Sequence, residues 1–316
     1  MDWLVNILIC ICMIEVCGSV PVGANMDYLF YETRSFPYVN LVRQSNAWAN
    51  ASNVSQPIPN VNPKTGYPTS DFSVVLSTQG VDTGGEYLVY AKGNADIQVL
   101  SSYFGYVTDK VYNSTTNSFT AKVHIPQNAT SVILAFHNTT GPGLEDLAVL
   151  QPGYDLSARN NITNLMLTHL SRFSIIRFME WTNTNHLTDV NWNDTTPVSW
   201  PQYIVPKHNP WESIPLIANS INKPIDVWIN IPFNATDDYV IHVAQVMFDN
   251  LNRTNNIYVE FSNEVWNGHF PQGRLNPVLA NDSVLNQGDP YHLNYDNFSN
   301  PQAWPSRRTA LRGRAR

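Results

Sequence analysis

Cysteine is scarce in this chain: the 316 residues hold three, Cys10, Cys12 and Cys17, all within one N-terminal segment. Past that segment there is none, which excludes disulfides, thiolate metal sites and cysteine nucleophiles together. Such a chain must rest on its hydrophobic core, and a body of about 290 residues can bury one. Long apolar runs are also missing from the body, where a bilayer span would take roughly 20 such residues. Basic charge is short. The formal net charge is −7, and Arg307, Arg308, Arg312, Arg314 and Arg316 crowd the C-terminal end, so the remainder is more acidic still. That balance argues against a nucleic-acid partner. No two histidines have metal-ligand spacing, and there is neither a phosphate-cradling loop nor a G-x-S-x-G elbow, so no metal and no cofactor is implied.

What is present begins with Leu4–Ile14, an apolar stretch followed by the small residues Gly18 and Ser19. An apolar core of about 7–15 residues ahead of small residues is the pattern of a cleaved signal peptide. Asp2 stands where a basic residue is usual. Residues 1–19 are accordingly expected to be a signal peptide and the product to be secreted. Acceptor triplets for N-glycosylation give independent support. They occur at Asn50, Asn53, Asn113, Asn128, Asn138, Asn161, Asn193, Asn234, Asn252, Asn281 and Asn297. In a signal-bearing chain, so many acceptors imply an extracellular glycoprotein with a sugar-coated surface.

The body reads as two halves. Over residues 27–150, short β runs alternate with turn residues. Phe119, Ala121, Val123 and Ile125 share one face of a strand whose other face carries Thr120, Lys122 and His124. Phe72–Leu76, Glu86–Ala91, Ile97–Tyr103 and Ser131–Phe136 are further strands, separated by Gly80, Gly84-Gly85 and Gly93-Asn94. Close-spaced strands with turn signals predict an antiparallel β-sandwich. Over residues 151–306 helix and strand alternate. Ile162, Leu165, Met166, His169, Leu170 and Phe173 fall at helical spacing before the strand Ser174–Met179. Ser213 caps a helix through Ile221, and Asp226–Ile231 follows as a strand. Thr236 caps a helix that carries Asp237 and Asp238 in its first turn, where negative charge meets the helix dipole. The strand Asn256–Phe261 comes last. Repeated strand–helix units predict a parallel sheet with right-handed crossovers. Residues 307–316 read as a basic tail.

Active groups in parallel α/β folds gather at the C-terminal strand ends. Those ends supply Arg177 and Glu180 with Trp181, then Asn230, then Asn263 and Glu264 with Trp266 nearby. Glycoside hydrolysis needs a carboxylic acid to protonate the leaving oxygen, and an amide can hold a neighbouring sugar hydroxyl. Aromatic rings stack on the apolar faces of sugars. Plainer readings stand beside these: Glu264 as a hydrogen-bonded strand-end acid, Glu180 as a solvated loop acid, and some tryptophans as core.

The run I-D-V-W-I-N-I-P, then A-T-D-D-Y-V, then N-I-Y-V-E-F-S-N-E-V-W-N, resembles the catalytic barrel of clan A glycoside hydrolases. With R-F-M-E-W-T-N-T-N at 177–185, it is similar to secreted cellulase-like and cellulose-binding proteins. The likeness covers roughly residues 145–272. It implies a partial (β/α)8 (TIM) barrel behind the sandwich, truncated after about the fourth strand. It also implies a β-glucan-type polysaccharide or oligosaccharide as partner. By the resemblance Glu264 is the acid/base of a retaining mechanism, and Asn263 binds the sugar beside the scissile bond. Arg177 supports the carboxylates, and Glu180, Trp181, Asn230 and Trp266 are substrate contacts. Phe233 stands where many members have a polar residue. The nucleophilic glutamate of the seventh strand has no counterpart, since no glutamate follows Glu264. The expectation is therefore a secreted glycoside hydrolase-like protein lacking its nucleophile, or a non-catalytic carbohydrate-binding or matrix glycoprotein.

Overall fold

The computed structural model describes residues 21–33, 35–58, 60–78, 83–101, 104–185, 191–204, 208–297 and 303–314. The expected signal peptide, residues 1–19, lies outside them, as do Gly80 and Tyr103. Among the described residues no helix is long and apolar enough to cross a membrane.

Two antiparallel sheets fill the region from Ala49 to Leu150. One orders β10 (Glu145–Leu150), β5 (Gly85–Lys92), β8 (Ser118–Ile125) and β7 (Tyr106–Asn113). The other orders β3 (Asn53–Pro57), β2 (Ala49–Asn50), β4 (Phe72–Ser77), β9 (Val132–His137) and β6 (Asp96–Val99). Their inner faces share one core, because side chains alternate between faces along each strand. In β8 the buried set is Phe119, Ala121, Val123 and Ile125, the face read from the sequence. Phe72 of β4 and Phe136 of β9 stack at 4.8 Å within that core. Each such buried ring stabilises the fold by about 1.5–3 kcal/mol.

A third sheet is wholly parallel and runs β1 (Gly23–Asn25), β11 (Ile175–Arg177), β12 (Asp226–Ile231) and β13 (Ile257–Phe261). Three helices supply its apolar cover: α1 (Asn164–Leu170), α2 (Ser213–Ser220) and α3 (Asp237–Asn250). Ile176, Val227 and Ile229 from the strands meet Ile214, Ile217 and Val243 from the helices in one core. Thr163 and Thr236 cap α1 and α3, accepting from the amides of Met166 and Tyr239. Ser213, expected as a cap, is instead the first residue of α2, with Glu212 before it. Arg177, Trp228 and Tyr258 stand in register across the sheet, so they share the face opposite that core. Two further helices, α4 (Pro271–Leu285) and α5 (Ala303–Arg314), pack around Ala280, Leu293 and Trp304. The first arginines of the basic stretch are engaged there: Arg307 pairs with Asp296 at 2.6 Å, and Arg308 donates to Asn276 Oδ1 at 2.8 Å.

Buried polar contacts join the parallel sheet to the antiparallel pair. Tyr38 donates its hydroxyl to Asn209 Oδ1 at 2.8 Å, and Gln202 donates to Ser45 Oγ at 2.9 Å. Isolated bridges tie Tyr38 to Ile162 and Asn40 to Leu150.

The architecture expected from the sequence, an N-terminal antiparallel β-sandwich followed by a partial TIM barrel, is corrected by this arrangement. Thirteen strands form three sheets, two antiparallel and one parallel, with five α-helices and no barrel among the described residues. Alternating strands and helices demand parallel pairing, but an open sheet satisfies that demand as well as a closed one. Closure needs a staggered join between first and last strands, whereas β1 and β13 lie at opposite edges here. The edge strand β1 also comes from residues ahead of both antiparallel sheets. Three residues are too few to show periodicity, so it left no trace in the pattern.

One carboxylate in the antiparallel pair gives the fold an acid-sensitive joint. Asp71 accepts from the amides of Asn138 and Thr139 at 3.0 and 2.9 Å, and from the Thr139 hydroxyl at 2.9 Å. Burial pushes its pKa up, but the hydrogen bonds from Thr139 and Asn138 outweigh that and hold it below the usual aspartate value. A depressed folded pKa contributes stability that is present above the unfolded pKa and lost as pH falls through the folded one. Asp71→Asn is therefore expected to melt a few degrees below wild type at neutral pH. Scanning calorimetry should find the gap closing as the pH is taken below about 4.

Candidate functional site

Arg177 ends β11 and points its guanidinium across the polar face of the parallel sheet. Its Nη2 donates to Glu260 Oε2 at 2.7 Å and to Asn263 Oδ1 at 2.9 Å. The same carboxylate oxygen accepts from Trp228 Nε1 at 3.0 Å, while the guanidinium carbon lies 5.0 Å from the Trp228 ring centroid. Charge-assisted bonds of this kind are short and strong, and the cation over the indole face adds to them. Beyond Asn263 the network continues. Asn263 Nδ2 donates to Asn185 Oδ1 at 3.0 Å, and Asn185 Nδ2 donates to Glu180 Oε1 at 3.0 Å. Gln272 Nε2, on the first turn of α4, donates to Asn185 Oδ1 at 2.9 Å and to the Asn263 carbonyl at 2.8 Å. Five side chains thus connect Glu180 to Glu260 without a break.

Backbone geometry makes that connection possible. Ser262 and Glu264 lie at φ 58° and 44°, the left-handed region that costs a residue with a Cβ of order 1–3 kcal/mol. The turn brings Asn263 back over the sheet toward Arg177. α4 then packs tightly on the loop: a Cβ on Gly273 would lie 2.0 Å from the Asn267 carbonyl oxygen, so only glycine fits. That close approach lets Gln272 reach Asn185.

Of the residues expected from the sequence, Arg177, Glu180 and Asn263 are brought into one network. Asn230 lies beside it but is fully buried, donating to the Ser262 carbonyl at 2.6 Å. Glu264 stands apart, its Oε2 accepting from Asn267 Nδ2 at 2.8 Å. Trp266 is 79% exposed, beyond the network. Trp181 is a correction. It is 1% exposed, donates Nε1 to Ser213 Oγ at 2.8 Å and packs against Tyr38, so it is a core residue and offers sugar no surface. The sequence reading did not name Glu260, Asn185, Gln272 or Trp228 as members. The signal for Glu260 was a lone acid inside the apolar run I-Y-V-E-F, four residues before Glu264.

The site leaves one accessible group open to a polar ligand. Glu260 Oε1 makes no hydrogen bond among the described residues, and Arg177 Nε is buried without a partner. No cluster of three His, Cys, Asp or Glu able to hold a metal occurs among the described residues. No protein-family model, curated protein or solved structure matches the chain. The likeness to clan A glycoside hydrolases therefore rests on the residues alone.

The central pair has a measurable weight. Arg177→Ala strips Glu260 and Asn263 of their common donor and leaves a half-buried carboxylate with only the indole N–H. A loss of about 3 kcal/mol is expected in urea unfolding, of the order seen when one partner of a buried pair is removed. Glu260→Gln, which keeps an acceptor for both donors, is expected to cost less.

Proposed function

We propose that this protein is a secreted glycoprotein that binds β-glucan-type polysaccharide on the polar face of its parallel sheet. The observation that carries the reading is the fixed indole of Trp228. The ring is 37% exposed, its N–H is tied to Glu260, and Arg177 lies over it. A ring already held in place loses little freedom when a sugar's C–H face stacks on it. Beside it stands an acceptor for a sugar hydroxyl, the Glu260 oxygen that makes no hydrogen bond among the described residues. Tyr258, half exposed and in register with Trp228, extends the aromatic surface along the sheet. Export accords with the surface. Eight acceptor asparagines are exposed (Asn53, Asn113, Asn128, Asn138, Asn161, Asn193, Asn252 and Asn297), while Asn50, Asn234 and Asn281 are half-buried.

Binding without hydrolysis is the form favoured. A retaining displacement needs two carboxyl groups about 5 Å apart across the scissile bond. Here Glu180, Glu260 and Glu264 each have one carboxylate oxygen held by an internal partner, namely Asn185, Arg177 with Trp228, and Asn267. One observation favours a second reading, hydrolysis with Glu264 as acid/base: that residue holds a strained backbone directly after Asn263, and strain of this kind clusters at functional sites.

Calorimetric titration with cello-oligosaccharides and mixed-linkage glucan fragments tests the proposal. Saturable binding is expected, weakened about tenfold by Trp228→Ala. Absence of binding to every β-glucan offered would overturn it. Release of reducing ends, lost in Glu264→Gln, would replace binding with hydrolysis.

A further inference from the structure

The apolar face of the parallel sheet is left partly uncovered. α3 lies over β12, but β13 is at the sheet's edge, and between them runs a groove of about 530 Å³. Val243, Met247 and Phe248 form its helical wall, and Ile229, Ile257 and Val259 form its strand wall. Phe248 is 61% exposed and Val259 57%. A parallel sheet is ordinarily covered on both faces, and a contiguous apolar strip of this kind favours association unless something lies on it.

The loop that closes one end of the groove carries a means of covering it. Asn252, a groove-lining residue, opens the acceptor triplet Asn252-Arg253-Thr254. None of the other ten acceptor asparagines lines the groove. Its backbone is anchored, the amide donating to Asn219 Oδ1 at 2.9 Å while Asn219 Nδ2 donates to the Asn250 carbonyl. Its own side chain is exposed, and Nδ2 makes no hydrogen bond among the described residues. The attachment point is therefore fixed in position and chemically open.

We propose that Asn252 carries an N-linked glycan whose first N-acetylglucosamine lies in the groove and seals the apolar face. In the transfer, Asn252 Nδ2 bonds to C1 of the sugar and the bond from C1 to a lipid diphosphate breaks. The amide gives up one proton. The lipid-linked donor is the common substrate of secretory glycosylation, so the inference rests on the export reading above. N-acetylglucosamine suits the site because its pyranose C–H face and acetyl methyl can pack on Val259 and Ile257. Its hydroxyls then turn to water. Arg253, stacked on Phe248 with its guanidinium carbon 4.1 Å from the ring centroid, stands at the rim as a donor for the acetyl carbonyl.

The test uses the full chain secreted from a glycosylating eukaryotic host. Glycopeptide mass spectrometry should find Asn252 occupied. Asn252→Gln and Thr254→Ala, which remove the glycan by different residues, should each raise binding of an apolar-surface dye at least about twofold and promote self-association. Asn193→Gln, which removes an exposed acceptor elsewhere, should do neither. Adding Val259→Thr and Phe248→Ser to Asn252→Gln should return dye binding toward the wild-type level. An unoccupied Asn252 on a chain glycosylated elsewhere overturns the inference and leaves export standing. So does an Asn252→Gln protein that behaves like Asn193→Gln. A chain with no glycan at any acceptor overturns both.

Discussion

A guanidinium withdrawn from water needs partners placed where its planar donors can reach them, and the end of the parallel sheet is organised around that need at Arg177. Desolvating a cation and a carboxylate costs several kcal/mol for each, and their attraction repays this only with good geometry and further hydrogen bonds. Those conditions are met by residues from each neighbouring element. β13 supplies Glu260, β12 supplies Trp228, and the strained turn after β13 supplies Asn263. Each is then tied to something else, so the pair fixes the direction in which the chain leaves the sheet. The left-handed backbone at Ser262 and Glu264 is the expense of that geometry, and the Arg177, Asn185 and Gln272 bonds on the intervening Asn263 are what hold it.

The same pair gives the proposed ligand surface its fixed aromatic. Trp228 would otherwise be a mobile half-exposed ring on an open strand. Bonded to Glu260 and covered by Arg177, it is an oriented plane beside an acceptor oxygen. Orientation is what saccharide recognition requires, since the energy of a single stacking contact is small beside the cost of ordering the groups that make it. The proposed saccharide binding would draw on the same interactions that stabilise the strand end, with no group set aside for it alone.

Legibility in the sequence tracked how local each cause was. Strands with strict alternation, such as 119–125, and helices with a cap and an apolar stripe, such as the one after Thr236, were readable because a single segment carries the whole signal. Arg177, Glu180 and Asn263 were readable as strand-end residues, for the rule that places them needs only strand boundaries. What could not be read was long-range. β1 joins a strand about 150 positions later, and three residues carry no period. Asn185 meets Asn263 across 78 positions of chain, and Gln272 reaches both only through the packing of α4. Trp181 misled because an aromatic beside a strand end can face the core or solvent, and sequence context alone does not decide between them. Barrel closure misled for a related reason: strand–helix alternation fixes the sense of pairing, not whether the sheet's two edges meet.

That distinction bears on the two faces of the sheet, which the chain treats in opposite ways. On the polar face the exposed aromatic is constrained by charge, so its exposure is compatible with a stable surface. On the apolar face Ile257 and Val259 are exposed with no internal partner of that kind, at an edge strand whose unpaired backbone is a template for further pairing. Natural edges are blunted by charge, proline, bulges or a cover, and β13 holds one charged residue, Glu260, committed to the other face. α5 packs against β13, with Arg308 over the Phe261 ring, yet Ile257 and Val259 stay exposed. The nearest chemistry able to cover these two is the acceptor asparagine at the groove's end. On the proposed reading the polar face binds saccharide, and a glycan on Asn252 closes the other.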